Sequence, residues 1–288
     1  MNETATLRLM DEMDLPCADS LRGLIGWNQT VKDWRQLLLL EPEGCFVAVL
    51  DGKLVGTVTT ITYGLTLGWI GMMLVHPEHR RHGIATRLMV RALEYLQRKP
   101  VRTIKLDATP AGRSLYEKLG FRLESELTRW QRPAQTESVA LGLRRSETRP
   151  LEEQDWLAAG EIDAAAFGVL RFHFLRGLAC RSRQVFVWPK EGQVVGWGML
   201  RPGANADYLG PVTCLNSDGS VALVSNLLSY VRGRAVFWDV PEDNEPAKAA
   251  AKSFGFVPLR PLSRMRCGAE CIPSNPRAQF AIADPAVG

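Results

Sequence analysis

The feature that most constrains the fold of this chain is an internal repeat, in which the second half matches the first at an offset of about 140 residues. Three pairs of segments share their pattern of apolar, polar and glycine residues: 8–14 with 149–155, 46–56 with 185–196, and 109–121 with 244–256. A repeat of this length describes a whole folding unit, so both copies should fold alike. The sequence therefore predicts two related α/β domains, residues 1–135 and 136–272. Residues 273–288, rich in proline and alanine, are expected to form a poorly ordered tail.

Within each copy, short apolar runs alternate with amphipathic segments, as strands alternate with helices. This order predicts an α+β mixed sheet with helices packed on it. Of the 288 residues, 46% are apolar and 23% charged, which is typical of a globular protein of about two domains. The formal net charge of +4 is too small to indicate nucleic-acid binding, and no apolar run reaches the length of a membrane span. We therefore expect neither a nucleic-acid partner nor a membrane partner.

In the first copy, a basic, glycine-containing loop lies between a buried strand and a helix. The strand runs from Trp69 to Val75, Pro77 ends it, and an apolar helical face begins at Ile84. Backbone N–H groups of such a loop can point at an anion, and the helix N-terminus adds about half a positive charge. The stretch therefore predicts a phosphate site made by consecutive residues: Arg80, Arg81, His82, Gly83, Ile84 and Ala85.

The spacing Arg80-x-x-Gly83-x-Ala85 resembles the acyl-CoA pyrophosphate signature of the GNAT superfamily of N-acetyltransferases. Residues 115–121, Leu-Tyr-Glu-Lys-Leu-Gly-Phe, resemble a downstream segment of the same family at the expected separation. The resemblance implies two tandem GNAT-like acyl-CoA N-acyltransferase domains that use acetyl-CoA. It also implies that the thioester carbonyl lies near the backbone of Leu74 and Val75. Thr109 would contact the pantetheine arm, although a helix-capping role explains that residue equally well.

Two side chains of the first copy are candidates for the chemistry. The resemblance puts Tyr116 where many GNAT enzymes have the tyrosine that protonates the leaving thiolate, and a phenol with a pKa of about 10 suits that role. The alternative is an aromatic ring that only packs the helix on the sheet. A general base is harder to assign, because the strand position that is a glutamate in some relatives is Trp69 here. Asp107 is the best candidate; a purely structural aspartate, a water chain or no base at all remain alternatives.

The first helical pair covers the acceptor channel in GNAT folds, so the resemblance makes Trp27, Asn28 and Trp69 candidates for contact with the acceptor. A tryptophan is more often part of a core. In the second copy, Asp218-Gly219-Ser220 stand in place of the basic loop, and Ala251 stands at the position of Tyr116. We therefore expect one acetyl-CoA per chain, with a second domain that either roofs the acceptor pocket or only stabilises the first.

The sequence thus favours a cytoplasmic acetyl-CoA-dependent N-acetyltransferase that acts on a small-molecule amine, as a monomer or homodimer. The competing hypothesis is a non-catalytic acyl-CoA-binding or sensing protein, and the missing strand carboxylate is its best support. We expect no metal, because the six cysteines are scattered and the histidines lack a nearby carboxylate cluster. Scattered cysteines also favour reduced thiols over a disulfide framework.

Overall fold

The computed structural model describes residues 5–134, 147–269 and 272–288. The first half contains β1 (Thr6–Leu9), α1 (Leu15–Ile25), α2 (Val31–Leu40), β2 (Phe46–Leu50), β3 (Lys53–Tyr63), β4 (Leu67–Val75), α3 (Ile84–Gln97), β5 (Thr103–Ala108), α4 (Pro110–Lys118) and β6 (Arg122–Arg132). The second half contains β7 (Arg149–Pro150), α5 (Trp156–Phe167), α6 (Phe172–Ala179), β8 (Gln184–Lys190), β9 (Gln193–Arg201), β10 (Asp207–Cys214), α7 (Ser217–Leu228), β11 (Val236–Pro241), α8 (Glu245–Ser253), β12 (Val257–Cys267) and β13 (Gln279–Ala281).

The internal repeat is confirmed, because both halves place the same kinds of element in the same order from β1 to β6 and from β7 to β12. Equivalent side chains also make equivalent contacts. Arg8 donates two hydrogen bonds to Asp14, at 2.6 and 2.7 Å, and Arg149 donates two to Asp155, at 2.5 and 2.7 Å. The bonds from Arg8 lower the pKa of the Asp14 carboxyl. Each pair fixes the first strand to the turn that leads into the first long helix.

All the strands lie in one mixed sheet, in the order β1-β2-β3-β4-β5-β12-β6-β11-β10-β9-β8-β7, with β13 paired to β10. The two halves exchange their last strands. β12 pairs with β5 of the first half, and β6 pairs with β11 of the second, while β6 and β12 run antiparallel to each other at the centre. The predicted division at residue 135 therefore follows the repeat in the sequence but does not separate two bodies in space.

The packing joins the halves a second time on one face of the sheet. Helices α1 and α2 share a hydrophobic core with α5 and α6, in which Trp34, Trp69 and Trp197 are fully buried. Truncating such a tryptophan to alanine typically costs about 3–5 kcal/mol. Helices α3 and α4 cover the other face of the first half, and α7 and α8 cover the corresponding face of the second.

The segment 272–288 is built into the protein, so the expectation of a poorly ordered tail is wrong. Strand β13 pairs with β10, and the residues after it cross to the first half. There the Tyr63 hydroxyl donates to the Val287 carbonyl at 2.8 Å, and Trp69 Nε1 donates to the Pro285 carbonyl at 3.3 Å. The composition of this segment led to a wrong prediction because its alanine and valine residues are buried between the two halves.

Candidate active site

A cleft opens where β4 separates from β5. The two strands pair in parallel only from Leu67 to Trp69, opposite residues 103–105, and then diverge. On its other edge β4 carries a bulge against β3, at which Met72 has a φ of +48°, a left-handed conformation that is uncommon for a residue with a side chain. Thr57 Oγ1 donates to the Met72 carbonyl at 2.8 Å and helps to hold the bulge. Leu74 and Val75 lie on this diverging part of β4, beyond the bulge.

The loop between β4 and α3 presents a run of free backbone donors. The N–H groups of residues 81–86 find no acceptor among the described residues, and the first helical bond of α3 is from Arg87 N to the Gly83 carbonyl. Arg81 and Gly83 have φ values of +64° and +76°, which turn the loop across the helix end. Gly83 caps α3 without a side chain, and no acidic residue occupies the first turn. This combination of free amides and helix dipole suits a phosphate group.

The basic side chains of this loop divide into two groups. Arg80 Nε donates to the Val75 carbonyl at 3.2 Å, so part of its guanidinium ties the loop to the end of β4. Arg81 and His82 are exposed and have no ion pair or hydrogen bond of their side chains among the described residues. Ile84 is buried under the sheet and anchors the start of the helix.

Tyr116 lies on α4, which follows β5, and contributes to the lining of the cleft. Its ring packs edge-on to Phe121 with centroids 6.2 Å apart, and a β-carbon at Gly112 would approach the ring to 2.9 Å. The hydroxyl has no hydrogen-bond partner among the residues that the structure describes. Burial raises the pKa of Tyr116 to about 12, so the phenol keeps its proton at neutral pH. Thr109, at the N-cap of α4, makes no side-chain capping bond, so its hydroxyl is also free to face the cleft.

Asp107, the candidate base, is held in a tight ion pair. Both of its carboxylate oxygens accept hydrogen bonds from Arg264 of β12, at 2.8 and 2.9 Å, and the carboxylate is fully buried. Burial raises the pKa of Asp107, and the charge of Arg264 opposes that rise. The guanidinium bonds to both oxygens, and the carboxylate has no surface exposed to the cleft. The backbone of Asp107, rather than its side chain, is what the cleft can reach.

The pocket at the mouth of the cleft is built from both halves and from the segment after β13. Its lining includes Trp27 and Gln29 between α1 and α2, Met72 and Met73 on β4, Thr109 and Tyr116, Arg129 on β6, Arg260 and Leu262 on β12, and Pro285 and Ala286. Of the three residues that the sequence proposed for acceptor contact, only Trp27 lies here. Trp69 is fully buried beneath Arg264, whose guanidinium lies 5.0 Å from the centre of the indole.

Asn28 joins the two halves instead of facing the pocket. Its Oδ1 accepts hydrogen bonds from the backbone N–H groups of Asn205 and Ala206, both at 2.9 Å. The neighbouring Gln29 lines the pocket where Asn28 was predicted to lie, and its Nε2 donates to Asp284 at 2.7 Å. A polar side chain between two helices fits either role, so the sequence contained no signal to separate these neighbours.

Comparison with known families identifies the fold. The model of the acetyltransferase (GNAT) family matches residues 13–121, and the model of a GNAT acetyltransferase domain matches residues 159–281. The chain belongs to the GNAT acetyltransferase family, with two GNAT domains in tandem. The family uses acetyl-CoA as its acyl donor. The resemblance in the loop and in residues 115–121 is thus confirmed at the level of the family.

Individual relatives agree with this assignment. The chain is 26% identical to the uncharacterized N-acetyltransferase YitH of Bacillus subtilis over 82% of both chains. It is 30% identical to the mycothiol acetyltransferase of Acidimicrobium ferrooxidans over 38% of this chain and 40% of that protein. Among solved structures, a Pyrococcus horikoshii protein aligns over 100% of this chain and 97% of its own, with a TM-score of 0.85 and 23% identity. A tandem GNAT protein from the clavulanic acid biosynthesis pathway aligns over 93% and 100%, with a TM-score of 0.69 and 17% identity. At these identities the structural likeness establishes the fold alone.

The second GNAT domain has lost its loop and filled its cleft. Eight residues, 76–83, connect β4 to α3, but only Leu215 and Asn216 connect β10 to α7. Asn216 Oδ1 accepts from Gly219 N at 2.9 Å, so the side chain of the N-cap residue satisfies one amide in the first turn of α7, and the Trp188 indole occupies the space beside Gly219.

The gap between β10 and β11 is occupied by the chain itself. Strand β13 pairs with β10 beyond the point where β10 leaves β11, and Trp238 Nε1 donates to the Phe280 carbonyl at 2.6 Å. Asn244, at the position of Thr109, donates to three carbonyls of the same segment, those of Pro276, Arg277 and Gln279. The second cleft is therefore closed by residues 276–282.

Two further classes of feature are absent from the described part of the chain. None of its helices combines the length and apolar character that a membrane crossing requires. No group of three or more histidine, cysteine, aspartate or glutamate side chains is arranged to hold a metal ion in residues 5–134, 147–269 and 272–288.

Proposed function

We propose that this protein is a cytoplasmic, acetyl-CoA-dependent N-acetyltransferase that acetylates the amine of a small molecule at the cleft of its first domain. The observation that carries the proposal is the run of free N–H groups at residues 81–86, beside a cleft that contains a buried phenol without a partner. Acetyl-CoA, when bound, supplies a thioester whose acetyl group passes to an amine. The residues of the loop and the diverging part of β4 fit the two ends of this donor, a pyrophosphate and an extended pantetheine arm.

The roles of the side chains follow from their surroundings. The amides of residues 81–86, helped by the exposed Arg81, would hold the phosphates. The backbone of Leu74 and Val75 would lie along the arm, and Thr109 would offer its unused hydroxyl to the same arm. Tyr116 would donate the proton that the leaving thiolate needs, because its high pKa keeps the phenol protonated.

We assign Asp107 a positioning role and give deprotonation of the acceptor to water. Asp107 is the only acidic residue that lines the pocket in the described part of the chain, and Arg264 occupies both of its oxygens. A carboxylate in that state orders β5 and β12 beside the cleft but cannot readily accept a proton from the amine. An acceptor amine of low pKa would need no further help.

The test is an assay of a panel of primary amines with acetyl-CoA, read by release of the CoA thiol. We expect turnover with at least one acceptor and none without an amine. If acetyl-CoA binds with micromolar affinity but no amine in a broad panel is acetylated, the protein is an acyl-CoA-binding module instead. The free Tyr116 hydroxyl favours the enzyme, because a mere binding module has no need for a phenol held without a partner in the cleft.

A further inference from the structure

Arg260 is a cation of the pocket lining that has no hydrogen-bonded anion among the described residues. It lines the pocket on β12, and its Nε is buried, yet its side chain makes no hydrogen bond or ion pair with any described residue. It lies directly opposite Arg129 of β6 in the sheet. Two like charges placed opposite each other in a sheet are destabilising unless something compensates them.

The carboxylates around Arg260 are already engaged elsewhere. Asp239 accepts two bonds from Arg129, at 2.8 and 2.6 Å, and one from the Tyr208 hydroxyl at 2.8 Å. Asp107 is paired with Arg264, and Asp284 accepts from Gln29 and from the backbone N–H of Ala286. Each of these carboxylates is therefore engaged with another group, and none of them forms a hydrogen bond or a close ion pair with Arg260 among the described residues.

A partly buried cation without a hydrogen-bonded anion costs free energy. The fold nevertheless keeps such a cation at this position of the pocket. Burial and the charge of Arg129 lower the pKa of Arg260, but a guanidinium stays protonated at any physiological pH. Apolar side chains, among them those of Trp27, Met72, Met73, Leu262 and Pro285, supply the larger part of the pocket surface. The pocket thus combines an apolar wall with one guanidinium that has no hydrogen-bonded anion among the described residues.

We propose that the acceptor is a small amine that also carries a carboxylate and an apolar group, as an apolar amino acid does, and that Arg260 binds the carboxylate. This inference rests on the proposed acetyl transfer at the same pocket. A planar guanidinium can give two parallel hydrogen bonds to a carboxylate, which fixes the orientation of the amine as well as its affinity. Arg260 and Tyr116 line the same pocket, so a carboxylate bound to Arg260 would keep the amine of the same small molecule within the pocket that holds the phenol.

The experiment compares matched acceptors on the full-length protein. Leucine, leucinamide and 3-methylbutylamine form one series, and phenylalanine, phenylalaninamide and 2-phenylethylamine form another. Binding to CoA-saturated protein is measured by calorimetry, and acetylation is measured by thiol release. The variants are Arg260→Gln, Arg260→Lys and the control Arg98→Gln, which removes an exposed arginine at the far end of α3.

We expect wild type and Arg98→Gln to bind the carboxylates about 10- to 100-fold more tightly than the amides, the usual range for a charged hydrogen-bonded pair. Arg260→Gln should lose this preference while its affinity for the amides is unchanged, and Arg260→Lys should recover only part of it. The melting temperature of unliganded Arg260→Gln should equal or exceed that of wild type, because an uncompensated charge has been removed.

The two proposals fail in different ways. Equal binding and acetylation of carboxylates and amides by wild type would overturn the carboxylate inference and leave the acetyltransferase intact. A carboxylate preference that survives in Arg260→Gln would also overturn it, as would a panel in which no carboxylate binds. Carboxylates that bind in an Arg260-dependent way without being acetylated would support the inference and contradict the acetyl transfer.

Discussion

The hydroxyl of Tyr116 lines the cleft and makes no hydrogen bond to the described residues. Everything around it is fixed: Phe121 lies against the edge of its ring and Gly112 lies beneath it. A ring so tightly packed cannot swing away, so the hydroxyl has a defined position in the cleft. A positioned acid typically contributes about 10²–10⁴-fold to a rate.

We therefore predict that Tyr116→Phe lowers turnover at least about 10²-fold while acetyl-CoA affinity stays within about twofold. The change removes only the proton donor and keeps the ring that packs on Phe121. Calorimetry and thiol-release kinetics on the same preparations measure the two quantities. Tyr230→Phe, which alters a phenol on the surface of the second domain, is the control and should have wild-type kinetics. Wild-type turnover in Tyr116→Phe would mean that the ring has a packing role alone.

The pH dependence of the wild type provides a second measurement on the same residue. The pKa of Tyr116 is raised to about 12, so its acidic form persists well above neutrality. Loss of the Tyr116 proton should therefore not limit the rate below about pH 10.

At this scale, local spacing pointed to Tyr116, which the structure places in the cleft, and to the loop before α3, because both patterns depend on neighbours within a few positions. The roles of these residues stay predictions. Local spacing could not identify Arg260 or Gln29 as residues of the pocket. Arg260 reaches the pocket because β12 inserts beside β5. Gln29 and Asn28 are adjacent amide side chains, and which of them faces the pocket depends on tertiary contacts that local spacing does not show. The resemblance to GNAT folds also predicted that Trp69 lies in the acceptor site, whereas the indole is covered by Arg264 and the Pro285 carbonyl.

Among the elements, the junction of β4 and α3 is where we propose that the phosphates of the donor bind. Its amides are free because Gly83 takes a left-handed conformation that lets the loop turn without a capping side chain. A β-carbon at position 83 would meet open space, so a side chain there points outward from the loop rather than into the core. The equivalent junction of β10 and α7 is too short to form such a loop.

We predict that Gly83→Glu weakens acetyl-CoA binding at least about 10²-fold, because it adds a negative charge at the phosphate site and disfavours the left-handed backbone. Gly192→Glu is the matched control, since Gly192 also has a positive φ, of +80°, and open space around it, but lies in the β8–β9 turn. Calorimetry should give one acetyl-CoA per chain for wild type and for Gly192→Glu. Two equivalents would contradict the closed second cleft, and unchanged affinity in Gly83→Glu would contradict the loop assignment.

The order of elements was predictable because each depends on local periodicity, and the repeat fixed the second set by analogy with the first. The pairing of the last strands of the two halves, β6 and β12, could not be predicted from the sequence. β6 and β12 are equivalent strands with similar patterns, so each fits the edge beside β5 and the edge beside β11, and the sequence does not say which one takes which place.

For the whole molecule, the exchange of β6 and β12 makes each half an incomplete sheet. Without β12, the first half would expose the edge of β5 and lose the Asp107–Arg264 pair. Without β6, the second half would lose the Arg129–Asp239 pair, which is fully buried. Removing one partner of a buried ion pair costs about 3–5 kcal/mol, a large fraction of the stability of a domain.

We predict that residues 1–135 and residues 136–288 are each insoluble or unfolded when produced alone, and that the two fragments made together associate and regain acetyl-CoA binding. Circular dichroism and co-purification through a tag on one fragment measure these outcomes. A folded, monomeric 1–135 fragment that binds acetyl-CoA with full affinity would contradict the view that the exchange is required.

The segment after β13 contributes to the pocket, so the pocket is complete only after this last part of the chain has been translated. Trp27, Met72 and Tyr116 leave the ribosome early, but the wall of the pocket made by Arg260, Pro285 and Ala286 is translated last of all the parts that it joins. A nascent or prematurely terminated chain therefore has the loop of residues 76–83 but lacks part of the pocket lining. If the pocket binds the acceptor as we propose, only a chain translated through residue 286 can select it.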